Sequence, residues 1–409
     1  MAPPTYDLVL LGATGYTGRL TAEHIATSLP TDLKWALAGR SASKLTHLAE
    51  ELRSFNADRA EPGIEVLELV PAELEVLVKK TRLVINTVGP FVTWGTPVYE
   101  ACARSGTHYL DCSGENPWLL EMIRKYHDVA TKSGAIMISA CGFDSVPADL
   151  VAWTCANYLR TTFGAPTTTL VNSLHAVSGS ISGGTLASGM ATLDTYSLRA
   201  LIAANAPFAL SPLPPSPAST QPIGGLSRKL LGILSIPELG ILGDSPQAGC
   251  DEAVVQRSWG LLHGAYGPAF RFTEAIRMPN RLAAVAWHLT LLTVGACLLL
   301  PPMRWAVRRL WYAPGDGMDR AQRARSHFEY RGLGTAEGGG RAMAKVAYKG
   351  DPYVFTGIAL AEAARVVLGE EEMEARRLGG GSLTPAMLGE PFVRRLRDAG
   401  VVVEVETVV

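Results

Sequence analysis

Apolar residues follow two rhythms along the first third of the chain. Short, nearly unbroken apolar runs recur at residues 6–11, 33–38, 64–69, 83–88, 108–110 and 135–140. Between them, residues 18–29, 43–52, 74–80, 97–104 and 118–131 carry apolar positions at helical spacing. Strands that read apolar without alternation are buried on both faces, so the pattern predicts an α/β fold with a doubly wound parallel sheet over 1–150. Beyond Asp149 the rhythm changes. Residues 168–177 alternate like a half-buried strand, and 326–330 and 341–348 are further strand candidates around the turn Gly338-Gly339-Gly340. The six prolines of residues 207–222 exclude regular structure and predict a long loop or lid. Asp351-Pro352 opens a helix over 353–368; a last helix is expected at 383–398 and a terminal strand at 401–408.

The first strand runs into Gly12-Ala13-Thr14-Gly15-Tyr16-Thr17-Gly18, with a helix expected behind it. Strand, glycine turn and helix N-terminus are what a dinucleotide pyrophosphate needs. Gly12 allows the tight turn, Gly15 lets backbone N–H groups approach the phosphates, and Gly18 lets helix and strand pack closely. The second strand ends at Gly39-Arg40-Ser41, with Lys44 beyond, where an NAD enzyme carries an acidic residue. A guanidinium there would clamp a 2′-phosphate that a carboxylate would repel, so NADPH is the expected cofactor. Asn86, Val88, Gly89 and Pro90 end the fourth strand at the carboxyl edge of the sheet and are expected to line the same nucleotide.

Composition narrows the class. The 409 residues are 47% hydrophobic and 18% charged, a globular chain long enough for two domains. A net charge of −1 leaves no basic excess for general nucleic-acid binding. Six scattered cysteines without zinc spacing read as reduced thiols, and the N-terminus lacks a signal-peptide pattern, so a cytoplasmic setting is expected. No metal site is expected. Residues 282–300 complicate this picture: they hold no charge apart from His288, and Arg281, Arg304, Arg308, Arg309, Trp305 and Trp311 flank them. Three readings stay open: a buried or channel-lining helix, a helix laid in a membrane or lipid-body surface, and a membrane span.

Hydride chemistry needs orientation and a proton donor. No Tyr-x-x-x-Lys pair supplies the donor, which argues against a short-chain alcohol dehydrogenase. The candidate catalytic residues are Asp111, Ser113 and Glu115 on one strand-end loop and Asp144 on the next. Either Glu115 or Asp144 in an apolar pocket could act as an acid, while helix capping and loop pinning are the structural alternatives.

The same motifs carry a family resemblance. The glycine turn, Ala38-Gly39-Arg40-Ser41, Asn86-Thr87-Val88-Gly89-Pro90-Phe91, Asp111-Cys112-Ser113-Gly114-Glu115, Cys141-Gly142-Phe143-Asp144-Ser145-Val146-Pro147, Ser182-Gly183-Gly184-Thr185 and Gly350-Asp351-Pro352 resemble the saccharopine dehydrogenase-like oxidoreductases, including the trans-acting enoyl reductases. The resemblance implies a Rossmann domain, a second domain over 151–350 built on a mixed sheet, and a segment 351–409 that packs back on the first. It also implies NADPH-dependent reduction of an activated C=C bond in a small-molecule or carrier-bound polyketide or lipid intermediate. The alternatives are imine or ketone reduction of an amino-acid-like substrate, a non-redox cyclase or isomerase, and a lipid-associated protein that keeps the nucleotide pocket. Arg199, Arg271 and Arg277 are the residues that could clamp a substrate carboxylate. An outward-facing strand of the second domain would suit a homodimer.

Overall fold

The computed structural model describes residues 3–178, 182–311, 323, 325–369 and 372–408. Strands β1 (Tyr6–Leu11), β2 (Trp35–Gly39), β3 (Gly63–Val66), β4 (Thr81–Asn86), β5 (His108–Asp111) and β6 (Ile136–Ile138) alternate with α1 (Tyr16–Ser28), α2 (Ala42–Arg53), α3 (Pro71–Lys80), α4 (Phe91–Ser105) and α5 (Asn116–Ser133). Every pairing among these strands is parallel. Leu8, Val9, Leu10, Leu83, Val84 and Ile85 are all fully buried, as expected of strands covered on both faces.

The seventh strand of this sheet comes from the far end of the chain. Gly381–Leu383 pairs in parallel with Ile136–Ile138, giving the order β13-β6-β5-β4-β1-β2-β3. The expected helix over 383–398 is therefore three pieces: this strand, a 3-10 turn Pro385–Leu388 and the helix Gly389–Asp398. Gly389, at φ +60, breaks the run. The helix ahead of it, Pro352–Leu368, lies against α1 so closely that a Cβ on Gly357 would sit 2.9 Å from the backbone between Leu20 and Thr21.

Helix α6 (Val146–Phe163) leads into the second sheet, of order β14-β12-β11-β7-β10-β9-β8. Its strands are β7 (Thr167–Ser178), β8 (Leu234–Ile236), β9 (Gly240–Asp244), β10 (Arg271–Arg277), β11 (His327–Ala336), β12 (Arg341–Tyr348) and β14 (Val402–Thr407), with β13 being Gly381–Leu383. The β7–β10 pair is parallel and the others are antiparallel, so the sheet is mixed. The terminal strand joins this second sheet rather than the first domain. The same part of the chain holds α7 (Gly183–Thr195), α8 (Leu198–Ala204), α9 (Gly225–Leu231), α10 (Ala248–Leu261), α11 (Arg281–Leu298) and α12 (Pro301–Trp311), of which α7 packs on α4 and α8 on α5. The apolar run at 282–300 is thus helical, but it is not buried: Ala284 is the one buried residue of α11. One cluster of buried residues runs from Leu8 and Ile85 through Leu150 and Val151 of α6 to Leu170 and Tyr330, so the two sheets share a core.

Candidate active site

The first site is the corner between β1 and α1. Gly12 has φ +83, and a Cβ there would lie 2.8 Å from both Thr87 Oγ1 and Val88 Cγ2. That proximity is held by Thr87, whose N–H and hydroxyl both donate to the Leu11 carbonyl at 2.9 Å. A Cβ on Gly18 would fall 2.2 Å from the Gly12 carbonyl oxygen, so glycine is obligatory where helix meets turn. Ala13 is buried beneath this corner, whereas Thr14 and Gly15 are exposed and Tyr16 and Thr17 partly so. Gly15 caps α1 without a side-chain hydrogen bond, leaving the first-turn N–H groups and the positive helix end facing outward. An open, side-chain-free helix N-terminus fits a pyrophosphate. The helix begins at Tyr16 rather than Gly18, which brings Tyr16 and Thr17 into its first turn. Tyr16 also packs edge-on against Tyr353, tying the corner to the returning helix.

Arg40 is exposed directly after the tip of β2 and makes no ion pair among the described residues. Ser41 caps α2 by accepting from the Lys44 N–H at 3.5 Å, so Arg40, Ser41 and Lys44 surround one turn beside the glycine corner. At the end of β4 the side chains divide. Asn86 is fully buried, donates to the Tyr109 hydroxyl at 3.2 Å and accepts from the Val88 N–H at 3.0 Å. Its side chain is committed to these internal bonds and shapes the Val88-Gly89-Pro90 turn.

Three of the four candidate acid or donor residues build loops. Asp111 is fully buried and accepts from the Ser113 N–H (2.9 Å), the Ser113 hydroxyl (2.7 Å), the Ser139 hydroxyl (3.0 Å) and the Ala140 N–H (3.2 Å). It pins the loop after β5 to the loop after β6, and the Ser113 hydroxyl is committed to it. Glu115 accepts from the Phe91 and Val92 N–H groups and so caps α4 from another loop. This cap explains why α4 begins at Phe91, ahead of the expected start at Pro97. Asp144 differs. It is half-buried, takes one hydrogen bond from Gln247 Nε2 (2.9 Å), and its Oδ2 lies 3.5 Å from where a Cβ on Gly114 would be. Burial pushes its carboxyl above the ordinary carboxylate range.

Around Asp144 gather residues that no spacing in the sequence connects. Cys250 Sγ lies 3.3 Å from the Ser145 hydroxyl. Next to it on α10, Asp251 is fully buried, as is Glu274 of β10. Ser245 and Asn172 donate to the two Glu274 oxygens at 2.8 and 3.1 Å, while no donor among the described residues reaches Asp251. Burial raises both carboxyls, and the Glu274 charge raises Asp251 further, so both hold a proton more readily than a free carboxylate does. Among the described residues no partner reaches the buried Tyr330 hydroxyl, the Ser173 hydroxyl or Asn172 Oδ1, and burial first, then the neighbouring carboxyls of Glu274, Asp251 and Asp144, raises the Tyr330 phenol. Phe143 stacks edge-on against Phe328 at 4.9 Å and walls the apolar side. The second sheet thus turns acids, amides and aromatic rings toward the strand ends of the first. The available signal was a carboxylate or amide flanked by apolar residues within a short strand-like segment: Glu274 in R-F-T-E-A-I-R and Asn172 in T-L-V-N-S-L.

The expected clamp arginines do not converge. Arg277 bonds His175 Nε2 at 2.8 Å near the end of the sheet, Arg199 is exposed on α8, and Arg271 starts β10. Arg277 and Arg331 hold the His175 imidazole at about 4, below its ordinary value, behind the larger effect of burial.

Comparison with known proteins follows the same lines. Residues 8–138 match the family model of the saccharopine dehydrogenase NADP binding domain. The trans-acting enoyl reductase of Mycobacterium leprae is 33% identical over 422 residues, covering 97% of each chain. That of Mycobacterium tuberculosis (strain ATCC 25618 / H37Rv) is 33% identical over 420 residues, again covering 97% of each. Among solved structures, the saccharopine dehydrogenase (L-Glu forming) of Saccharomyces cerevisiae superposes with a TM-score of 0.55 at 12% identity, covering 99% of this chain and 100% of that one, which is a likeness of fold. With an open glycine corner that fits a pyrophosphate and relatives matched nearly end to end, the chain belongs to the saccharopine dehydrogenase-like oxidoreductases, beside the trans-acting enoyl reductases, and is an NADP-dependent oxidoreductase that uses NADPH.

Proposed function

We propose that the protein reduces the activated C=C bond of an enoyl thioester, free or bound to a carrier, in polyketide or lipid synthesis. The observation that carries this reading is the character of the surface opposite the strand ends: buried and half-buried carboxyls beside aromatic rings, with none of Arg199, Arg271 and Arg277 converging on them. Such a surface suits a neutral acyl chain and offers no cationic clamp to the carboxylate of an amino-acid-like substrate. The names of the mycobacterial relatives point the same way.

NADPH held at this corner would supply the hydride that the β-carbon accepts, leaving the α-carbon of the resulting thioester enolate in need of a proton. The chain's own work is the rest. The α1 N-terminus and Arg40 fix the nucleotide, the rings of Phe143 and Phe328 exclude water, and a carboxyl delivers the proton that the α-carbon must gain. Asp144 is the donor in this reading, because it is the acid whose oxygen borders the Gly114 backbone at the cleft. The Asp251–Glu274 pair behind it is the store from which its proton is replaced.

The test follows NADPH absorbance with enoyl-CoA and carrier-bound enoyl thioesters, and with keto and imino acids as controls. Consumption with the enoyl substrates, lost in Asp144→Asn while NADPH still binds, is the expected result. Turnover confined to the imino or keto acids would sink the proposal.

A further inference from the structure

Helices α8, α9, α11 and α12 share a property that the chemistry of the cleft does not use. Together they hold Arg199, Arg228, Lys229, Arg281, Arg304, Arg308 and Arg309, and not one Asp or Glu. The chain as a whole has 37 basic against 38 acidic residues, so this is a strong local segregation. The same helices display much of the exposed apolar surface: Leu282 is 83% exposed, Leu226 70%, Ile202 64%, Trp305 62% and Leu292 58%. Scattered single apolar residues would be ordinary, whereas exposed apolar residues gathered on helices that carry basic side chains and no acidic one are not; the carboxylates that touch these helices, Asp194 and Asp244, come from α7 and β9.

The helices are joined to one another. Gly232, at the end of α9, lies so close to α11 that a Cβ there would be 2.6 Å from the His288 side chain. Arg304 of α12 pairs with Asp194 at 3.0 Å, at the end of α7 where α8 follows. Arg309 sits over the exposed Trp305 ring, 5.6 Å from its centroid.

We infer that α11 and α12, with α8 and α9 beside them, form a docking face for an anionic phospholipid bilayer, with α11 lying in the plane of the interface. Charge complementarity selects an anionic surface, because basic side chains close to it are drawn to the headgroup charge. The apolar residues of α11 point to several sides of the helix, which suits a fluid acyl boundary better than one protein groove. An 18-residue helix is about 27 Å long, enough to span, but α11 is pinned in its first half at Trp287 and His288. Trp287 Nε1 donates to the Asp244 carbonyl at 2.9 Å, and His288 Nδ1 pairs with the Asp244 carboxylate at 2.5 Å. Crossing the bilayer would tear both contacts from β9; lying flat keeps them.

The experiment floats the full chain, loaded with NADPH, with vesicles of phosphatidylcholine alone or with phosphatidylglycerol added. The expected result is binding to the phosphatidylglycerol vesicles that weakens as salt rises, and a loss of at least about tenfold in the Leu289→Glu/Leu292→Glu variant. The charge variant Lys229→Glu/Arg281→Glu is expected to lose the preference for anionic lipid, and NADPH affinity, unchanged in both variants, reports that they fold. Should a variant misfold, the wild-type comparison of the two vesicle compositions still decides. Absence of wild-type binding to either vesicle overturns the inference. So does equal binding to both vesicles, or an alkali-resistant wild-type association, which would mean a span. A lipid-independent dimer that Leu289→Glu/Leu292→Glu dissociates, or capture by an acidic carrier protein without vesicle binding, likewise overturns it in favour of a protein partner. None of these readouts depends on enoyl turnover, so this inference and the proposed reaction fail separately.

Discussion

The carboxylate of Glu115 stands across the start of the helix that begins at Phe91, with Oε1 2.9 Å from the Phe91 N–H and Oε2 2.6 Å from that of Val92. A charge supplied from one strand-end loop thus completes a helix beginning at another, and the two loops flank the cleft. Replacing Glu115 by Ala removes both acceptors and the favourable charge at the helix end. The expected loss is about 1–2 kcal/mol of stability, read by denaturant unfolding, and Glu115→Gln should recover part of it. If Glu115→Ala abolished turnover at unchanged stability, Glu115 would be a catalytic acid instead.

Arg40→Ala tests how the nucleotide is chosen. Loss of a charge-assisted contact to the 2′-phosphate predicts roughly 10–100-fold weaker NADPH binding with little change for NADH. Fluorescence titration of each nucleotide decides the matter. Equal losses would mean that the phosphate is read elsewhere.

Gly18→Ala puts a methyl 2.2 Å from the Gly12 carbonyl oxygen, which is backbone and cannot rotate away. We expect a destabilisation of about 1–3 kcal/mol together with much weaker NADPH binding. Gly134→Ala is a useful control: its φ of +80 strains any side chain, but nothing lies within 4 Å of the added methyl, so NADPH affinity should hold.

Activity should depend on pH through Asp144 and the Asp251–Glu274 pair. All three are raised above the ordinary range, and the protonated form is the useful one, so kcat should fall as pH rises. Asp251→Asn removes the carboxyl that burial and the Glu274 charge raise and should move that fall to lower pH. Asp144→Asn should lower kcat by about a hundredfold or more with KM for NADPH nearly unchanged. A pH profile identical in wild type and Asp251→Asn would remove the pair from the mechanism.

Stability has its own titration. Asp149 accepts from the Ser258 hydroxyl at 2.6 Å and the Ala386 N–H at 2.7 Å, yet burial pushes its carboxyl up to about 7. The folded chain therefore holds a proton that the unfolded chain has released, and stability falls as pH rises from the ordinary value of 3.8 towards about 7. Thermal unfolding across that window should show the decline, and Asp149→Asn should flatten it. An unchanged slope in the variant would assign the decline to other groups.

Much of the first domain was legible because its signals are local. A buried strand, a glycine turn and a helix need only neighbouring residues to declare themselves, and the corner at Gly12 to Gly18 has the expected form. Gly381–Leu383 was not legible: three residues carry no periodicity, and only pairing with Ile136–Ile138 makes them a strand. The carboxyls at Asp251 and Glu274 were missed for a related reason, since α10 and β10 meet in space and share no motif. For residues 282–300, composition described the helix but not its surroundings. An apolar run without a polar face looks the same whether protein or lipid covers it.

The pairing of Gly381–Leu383 with Ile136–Ile138 has a consequence for how the molecule is made. During synthesis the nucleotide-binding half waits with an open edge until Gly381–Leu383, translated long after Ile136–Ile138, emerges to pair with it. A fragment ending near residue 150 would expose that edge and the face of α1 against which Pro352–Leu368 packs, so it should aggregate rather than bind nucleotide as a stand-alone module.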